Sequence, residues 1–343
     1  MGWSNISSPV SEKNTQITDI HPQIITRHIL TRIDVASVAS MALTSHHFHA
    51  VCSDDKFWTQ ICNSTWASTN HPLVRNALAA FPAGHASFFS DSFRTLHFEK
   101  GDSHCRDTTP LQRPNEFISA VDLRYRNQIL CSEVNVTDTS TQNFMDSCFE
   151  VEAFADKKQL LSNITESCED DEATFMQDLR ENITLSWIII DPTQKRAANI
   201  SSRRPVSVRS HWIDGDVEIK FAVIMPEFVE TRLTAMLKWS DCGKLVVLSG
   251  VRLQLHDMDG LCLSGKTSLR ILQEAIRSGG RKKAREGEET RIHGNYVEMK
   301  RERRQVKDKT RRTTTLLIAA ISLAFVVLPV NMRFSVSEQG KPL

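Results

Sequence analysis

Glycine and proline are sparse in this sequence, 13 and 11 among 343 residues. That excludes collagen-like or low-complexity character. Paired cysteines are missing. Cys52, Cys62, Cys105, Cys131, Cys148, Cys168, Cys242 and Cys262 all stand singly, so the close spacing of a zinc knuckle or a thioredoxin-type centre is absent. Scattered single cysteines read as reduced thiols of the cytosol or nucleus. No sign of charge dominates. The 42 Lys+Arg against 41 Asp+Glu leave +1, which excludes a uniformly basic nucleic-acid binder. The first residues are polar and lack the apolar core of a secretory signal. Gly2 does not open a myristoylation motif, because Ile6 occupies the place of the required Ser or Thr. The Asn-x-Ser/Thr triplets, such as Asn63 and Asn135, are therefore read as ordinary asparagines.

What is present suits a folded chain. Hydrophobic residues make up 40% and charged residues 24%, enough apolar surface to build cores. The length allows two or three domains. The near-neutral total hides a polarity: residues 270–312 hold 15 Lys+Arg and 7 Asp+Glu, a local +8 that leaves −7 for the rest.

Residues 17–62 read as a small helical unit. Pro22 suits a first helical turn. Ile25, Ile29, Leu30 and Ile33 then fall on one helix face. Val38, Met41 and Phe48 continue a helical spacing, and Phe57, Trp58 and Ile61 form a third apolar cluster. So small a unit cannot bury this stripe internally and must press it on another surface. From about Glu116 the pattern changes to β-branched and aromatic runs: 117–130, 148–154, 183–190, 217–225 and 244–255. They read as strands of a mostly antiparallel sheet, with Asp214-Gly215 as a hairpin turn. Residues 268–278 read as a helix ending at Gly279-Gly280.

The offsets in 17–62 resemble an F-box. His21-Pro22 stands for the family's Leu-Pro, Ile29-Leu30 for its Ile-Leu, Ile33-Asp34 for its Leu-Asp, and Phe57-Trp58 for its closing Leu-Trp. Two positions depart from the pattern: Phe48 replaces the usual Trp, and Thr26 a common Leu. The wording His-Pro-x-Ile-Ile…His-Ile-Leu-Thr-Arg-Ile-Asp is similar to a plant subfamily with a sheet-rich C-terminal region and a late apolar segment. The resemblance implies a non-catalytic adaptor without a cofactor. It would bind Skp1 through Pro22, Ile25, Ile29, Leu30, Ile33, Val38, Met41, Phe48 and Trp58, reach a cullin through Skp1, and present a protein substrate for ubiquitination. A non-ligase scaffold that also binds Skp1 is the neighbouring alternative. Burial of each Ile or Leu at such an interface contributes roughly 1.5–3 kcal/mol before association costs.

A competing motif spans Gly260 to Thr267. Gly260, Gly265, Lys266 and Thr267 fit the P-loop pattern letter for letter and imply a nucleotide-binding protein. Its context is wrong: no further βα units follow, and Leu261 and Leu263 are bulky for a phosphate cradle. His46, His47 and His49 have no suitably placed carboxylate or thiol companion except Cys52 or Asp55 and read as a polar helix end, so no metal site is expected. Trp187, Trp212 and Trp239 read as core. Residues 313–332 carry no charge and follow the basic stretch. They read as a transmembrane helix that tail-anchors the protein, with its body on the cytosolic side.

The fold class expected is α+β: an N-terminal three-helix F-box, a mostly antiparallel β-rich domain and a C-terminal apolar helix. The boundaries read as leader 1–16, F-box 17–62, helical connector and linker 63–114, β-rich substrate-recognition domain 115–278, basic linker 279–312, membrane helix 313–332 and tail 333–343. The expected location is cytoplasm or nucleus, and no nucleic-acid partner is expected.

Overall fold

A computed structural model describes residues 54–98, 112–126, 128–154, 172–211, 216–239, 246–282 and 287–337, with positions 20, 21, 24, 38 and 50 besides. Helix α1 (Asp55–Thr65) starts where Asp54 accepts the Lys56 amide at 3.0 Å, and it stops as Trp66 turns extended. Its buried residues, Phe57, Trp58, Ile61 and Cys62, share one face. A 3-10 turn (Ala67–Asn70) follows. Next come α2 (Pro72–Leu78), with proline in its first turn, and α3 (Gly84–Ser92).

The rest of the body is two sheets. The strands are β1 (Thr95–His97), β2 (Glu116–Tyr125), β3 (Gln128–Asp138), β4 (Glu150–Ala153), β5 (Ile183–Asp191), β6 (Arg196–Asn199), β7 (Ser207–Ser210), β8 (Val217–Met225), β9 (Val229–Trp239), β10 (Val246–His256) and β11 (Gly280–Lys282). One sheet runs β11-β1-β6-β5-β2-β3 and the other β4-β10-β9-β8-β7. Among the described residues every strand pairing is antiparallel except β1 with β6. Short helices α4 (Gln142–Asp146) and α5 (Glu172–Asn182) fill connections, and α6 (Gly265–Ser278) packs its apolar face into the body.

Alternation along the central strands makes three layers. On β2 and β5, Phe117, Val121, Leu123, Leu185, Trp187 and Ile189 face the second sheet and α6, forming the larger core. Ile118, Ala120, Ile188 and Ile190 face the other way and meet the N-terminal helices in a second core. Burial on both faces explains why these strands read as nearly continuous apolar runs. The run expected as a single strand over 117–130 folds back on itself, because Arg126 takes a left-handed conformation (φ 45°) between β2 and β3. At Gly250 (φ 152°) β10 bulges, and a Cβ there would lie 3.0 Å from the Ala153 carbonyl of β4.

Three expectations are corrected. The stretch read as a basic linker holds the edge strand β11 and the start of α7 (Glu288–Ser337), a single helix of 50 residues. Residues 313–332 lie within this helix, but no helix among the described residues is long and apolar enough to cross a membrane. The strongly apolar part, residues 316–330, would reach roughly 22 Å against a bilayer core of about 30 Å. Finally, Cys148 and Cys262 are not separate thiols. They form a disulfide across 114 residues of chain, with Cα atoms 5.7 Å apart. Sequence spacing could not show this, because an antiparallel bridge between Cys148 and Ser264 brings the two segments together.

Candidate functional site

The end of the F-box-like stretch is built into the sheet domain. Trp58 packs tilted against Phe89 of α3 with ring centroids 5.4 Å apart, and Trp66 lies 5.3 Å from the same ring. These rings share their core with Ile118, Ile188 and Ile190 of the sheet, and Val38 is buried in it too. Asp55 links α1 to α3 by accepting the His85 amide at 2.9 Å, with the His85 imidazole Nδ1 3.1 Å from its carboxylate.

Two carboxylates pin this helical layer to the sheet. Asp122 of β2 is 2% exposed and points at the helices. It accepts the Ser68 amide at 3.0 Å, the Ser68 hydroxyl at 2.5 Å and the Ser132 hydroxyl at 2.8 Å. Burial pushes its carboxyl above the usual range, although the serine donors and the Arg124 charge act in the opposite direction. Asp91 of α3 receives Arg196 of β6 in a two-pronged pair, Nε at 2.7 Å and Nη2 at 2.9 Å. It also accepts the Ala197 amide at 3.2 Å. Arg281 of β11 adds its guanidinium 3.6 Å away and bonds the Asp91 backbone carbonyl.

A second buried charge cluster holds the root of α7. Glu230 of β9 is 1% exposed. It pairs with the Lys220 ammonium, has His293 Nε2 at 2.9 Å and receives Arg232 at 3.1 Å. Burial alone would raise its carboxyl; the His293 contact and the Lys220 and Arg232 charges outweigh that and hold it well below the usual carboxylate range. Tyr296 and Lys300, one turn and two turns further along α7, both donate to the Asp257 carbonyl at 3.3 Å. Beyond this root, residues 301–322 of the helix are exposed throughout.

Of the residues expected to contact Skp1, Pro22, Ile25, Ile29, Leu30, Ile33, Met41 and Phe48 lie outside the described residues. Val38 (0% exposed) and Trp58 (9%) are core residues of this chain, so their side chains are already covered by their own protein. Trp187 is core as expected, its indole N–H donating to Ser119 at 3.3 Å, while the side chains of Trp212 and Trp239 lie outside the described residues. The junction residues Asp91, Asp122 and Arg196 were not anticipated. The available signal was a charged residue inside the apolar run Ile118 to Leu123.

The Gly260–Thr267 stretch does not form a phosphate cradle. Most of its amides are spent on the chain itself. Gly260 donates to the Asp257 carbonyl, Leu261 to the Asp257 carboxylate, Leu263 to the Leu255 carbonyl and Gly265 to the Ser147 carbonyl. The Thr267 amide is capped by Ser264. A Cβ on Gly265 would stand 2.0 Å from the Phe144 carbonyl oxygen, so the glycine serves close packing of α6 on α4.

Comparison with known proteins places this architecture. The F-box-like family model matches residues 22–64. F-box protein At3g44326 of Arabidopsis thaliana is 35% identical over 344 residues, covering 95% of this chain and 92% of that protein. F-box protein At2g27310 is 34% identical, covering 91% and 94%. Probable F-box protein At2g36090 is 36% identical, covering 96% and 98%. The chain belongs to the F-box protein family. No solved structure matches it.

Proposed function

We propose that this chain is the substrate-recognition subunit of an Skp1–cullin–F-box ubiquitin ligase. The observation that carries the reading is the F-box-like match at residues 22–64, whose last helix α1 shares a core with the sheet domain. The apolar stripe of Ile25, Ile29, Leu30 and Ile33 in the F-box-like sequence takes the Skp1 surface. Val38 and Trp58 act from inside, by shaping the unit that presents this face. The two-sheet body binds the target protein and holds it near the carrier enzyme, so the contribution to ubiquitin transfer is proximity rather than chemistry. The complex works in the cytoplasm or nucleus.

The test is capture of Skp1 by the full-length protein and by the double variant Ile29→Arg, Leu30→Arg. Wild-type protein retains Skp1 and cullin, and the variant loses both. Undiminished capture by the variant refutes the assignment. Skp1 without cullin in the purified complex would instead indicate a scaffold that uses Skp1 outside a ligase.

A further inference from the structure

We propose that Cys148 and Cys262 form a thiol modification site, a clasp that closes on oxidation by a hydroperoxide and opens again with a dithiol reductant. The two sulfurs join the turn before edge strand β4 to the segment that leads into α6. Cys148 is exposed and Cys262 half-buried, so oxidant and reductant can both reach the pair. The free cysteines among the described residues are unlike them. Cys62 and Cys131 are buried, and both thiols are pushed up to about 12, mainly by burial, with the Asp55 charge adding at Cys62 and Glu133 and Asp122 adding at Cys131. Neither supplies thiolate at neutral pH.

The surroundings explain why the bond can open without unfolding the protein. Backbone pairing already fixes both segments. The Phe149 amide donates to the Leu263 carbonyl at 2.9 Å, and the Gly265 amide to the Ser147 carbonyl at 2.9 Å. Cys262 itself bridges to His256 of β10. Phe144 and Phe149 pack beneath the joint at 6.1 Å. These contacts hold the two cysteines as neighbours in the dithiol form, so re-formation needs no search of the chain.

The chemistry balances with the hydroperoxide as the electron acceptor. The Cys148 thiolate attacks the terminal peroxide oxygen, the O–O bond breaks, and an alcohol (water, for hydrogen peroxide) leaves as the sulfenic acid forms. The Cys262 sulfur then attacks the Cys148 sulfur. The S–S bond forms and the hydroxyl leaves as water with the proton of the Cys262 thiol. Two electrons and two protons pass from the thiols to the peroxide. Reduction reverses this through a mixed disulfide with the dithiol.

The experiment uses full-length protein, reduced with dithiothreitol, desalted without oxygen and titrated with hydrogen peroxide. Peptide mapping reports which cysteines are linked, and circular dichroism reports the fold. The expected result is a Cys148–Cys262 cross-link at near-stoichiometric peroxide, reversal by dithiothreitol, folded protein in both states, and a melting temperature lower by roughly 5–15 °C when reduced. Cys148→Ser and Cys262→Ser should each abolish the cross-link and melt like the reduced wild type. Should either variant fail to fold, the reduced wild type decides the matter. Oxidation at other cysteines that leaves this pair unlinked overturns the proposal. So does a bond that resists dithiothreitol in folded protein, or one whose reduction unfolds the chain, since it would then be a permanent staple.

Discussion

Asp122 on β2 and Ser68 in the turn after α1 are joined twice, by the Ser68 amide at 3.0 Å and its hydroxyl at 2.5 Å. The pair lies in the layer between the F-box end and the sheet, where water does not compete, so its loss exposes the cost of unpaired buried donors.

Asp122→Ala leaves the Ser68 donors and the Ser132 hydroxyl without their acceptor. Stability should fall by about 1–3 kcal/mol, read as a lower urea midpoint. The pH dependence has a definite sign. The folded carboxyl sits above its ordinary value of 3.8, so the folded state binds more protons there than the unfolded state. The Asp122 contribution therefore weakens as pH rises from 3.8 through the raised folded value. In Asp122→Asn that decline should vanish; an unchanged midpoint-versus-pH curve would assign the carboxyl to solvent.

Glu230 should show the opposite slope. Its folded carboxyl lies below the ordinary 4.5. Its contribution is complete above 4.5 and is lost as pH falls toward the depressed folded value. Glu230→Gln leaves the half-buried Lys220 and Arg232 without their counter-ion. It should cost about 3–5 kcal/mol at neutral pH and flatten the acid limb of guanidinium unfolding measured against pH.

Trp58→Ala tests core against contact. Because Trp58 is packed on Phe57 and Phe89, the substitution should destabilise the whole body by about 3–5 kcal/mol, seen as an early thermal transition of the isolated protein. A normal transition with weakened Skp1 capture would show that Trp58 faces the partner instead.

Around the P-loop-like stretch, packing and chemistry separate cleanly. Gly265→Ala should destabilise by about 3 kcal/mol, because the new methyl group meets the Phe144 carbonyl. Lys266, exposed on the first turn of α6, can become alanine with a change within about 0.5 kcal/mol. Equilibrium dialysis should find no ATP retained by either the wild type or Lys266→Ala. Retention by the wild type that Lys266→Ala abolishes would restore the nucleotide reading.

The sequence was most informative where one side of an element faces water. Strand β8 falls on the expected residues 217–225, because Val217, Ile219 and Phe221 alternate with Glu218 and Lys220. Strand β9 escaped notice. Its buried Leu233, Ala235 and Leu237 are interleaved with Arg232, Thr234, Met236 and Lys238, a mixed set that blurs the alternation. Strands of three or four residues such as β1, β6, β7 and β11 are too short to carry a period. Helix α7 was divided into linker and anchor because its composition changes along its length while its backbone does not. At the functional end, the motif offsets at Pro22 to Trp58 were legible. The ties at Asp91–Arg196 and Ser68–Asp122 join residues 105 and 54 positions apart, which no local pattern records. The Cys148–Cys262 bond was hidden for the same reason.

The middle sheet is greasy on its front and on its back, and neither side can be undressed without wetting the other's support. A gene cut just before residue 115 would therefore yield two fragments, each missing a wall. Workable truncations begin upstream of Ile20, which with Val38 belongs to the second core, or end beyond Lys300.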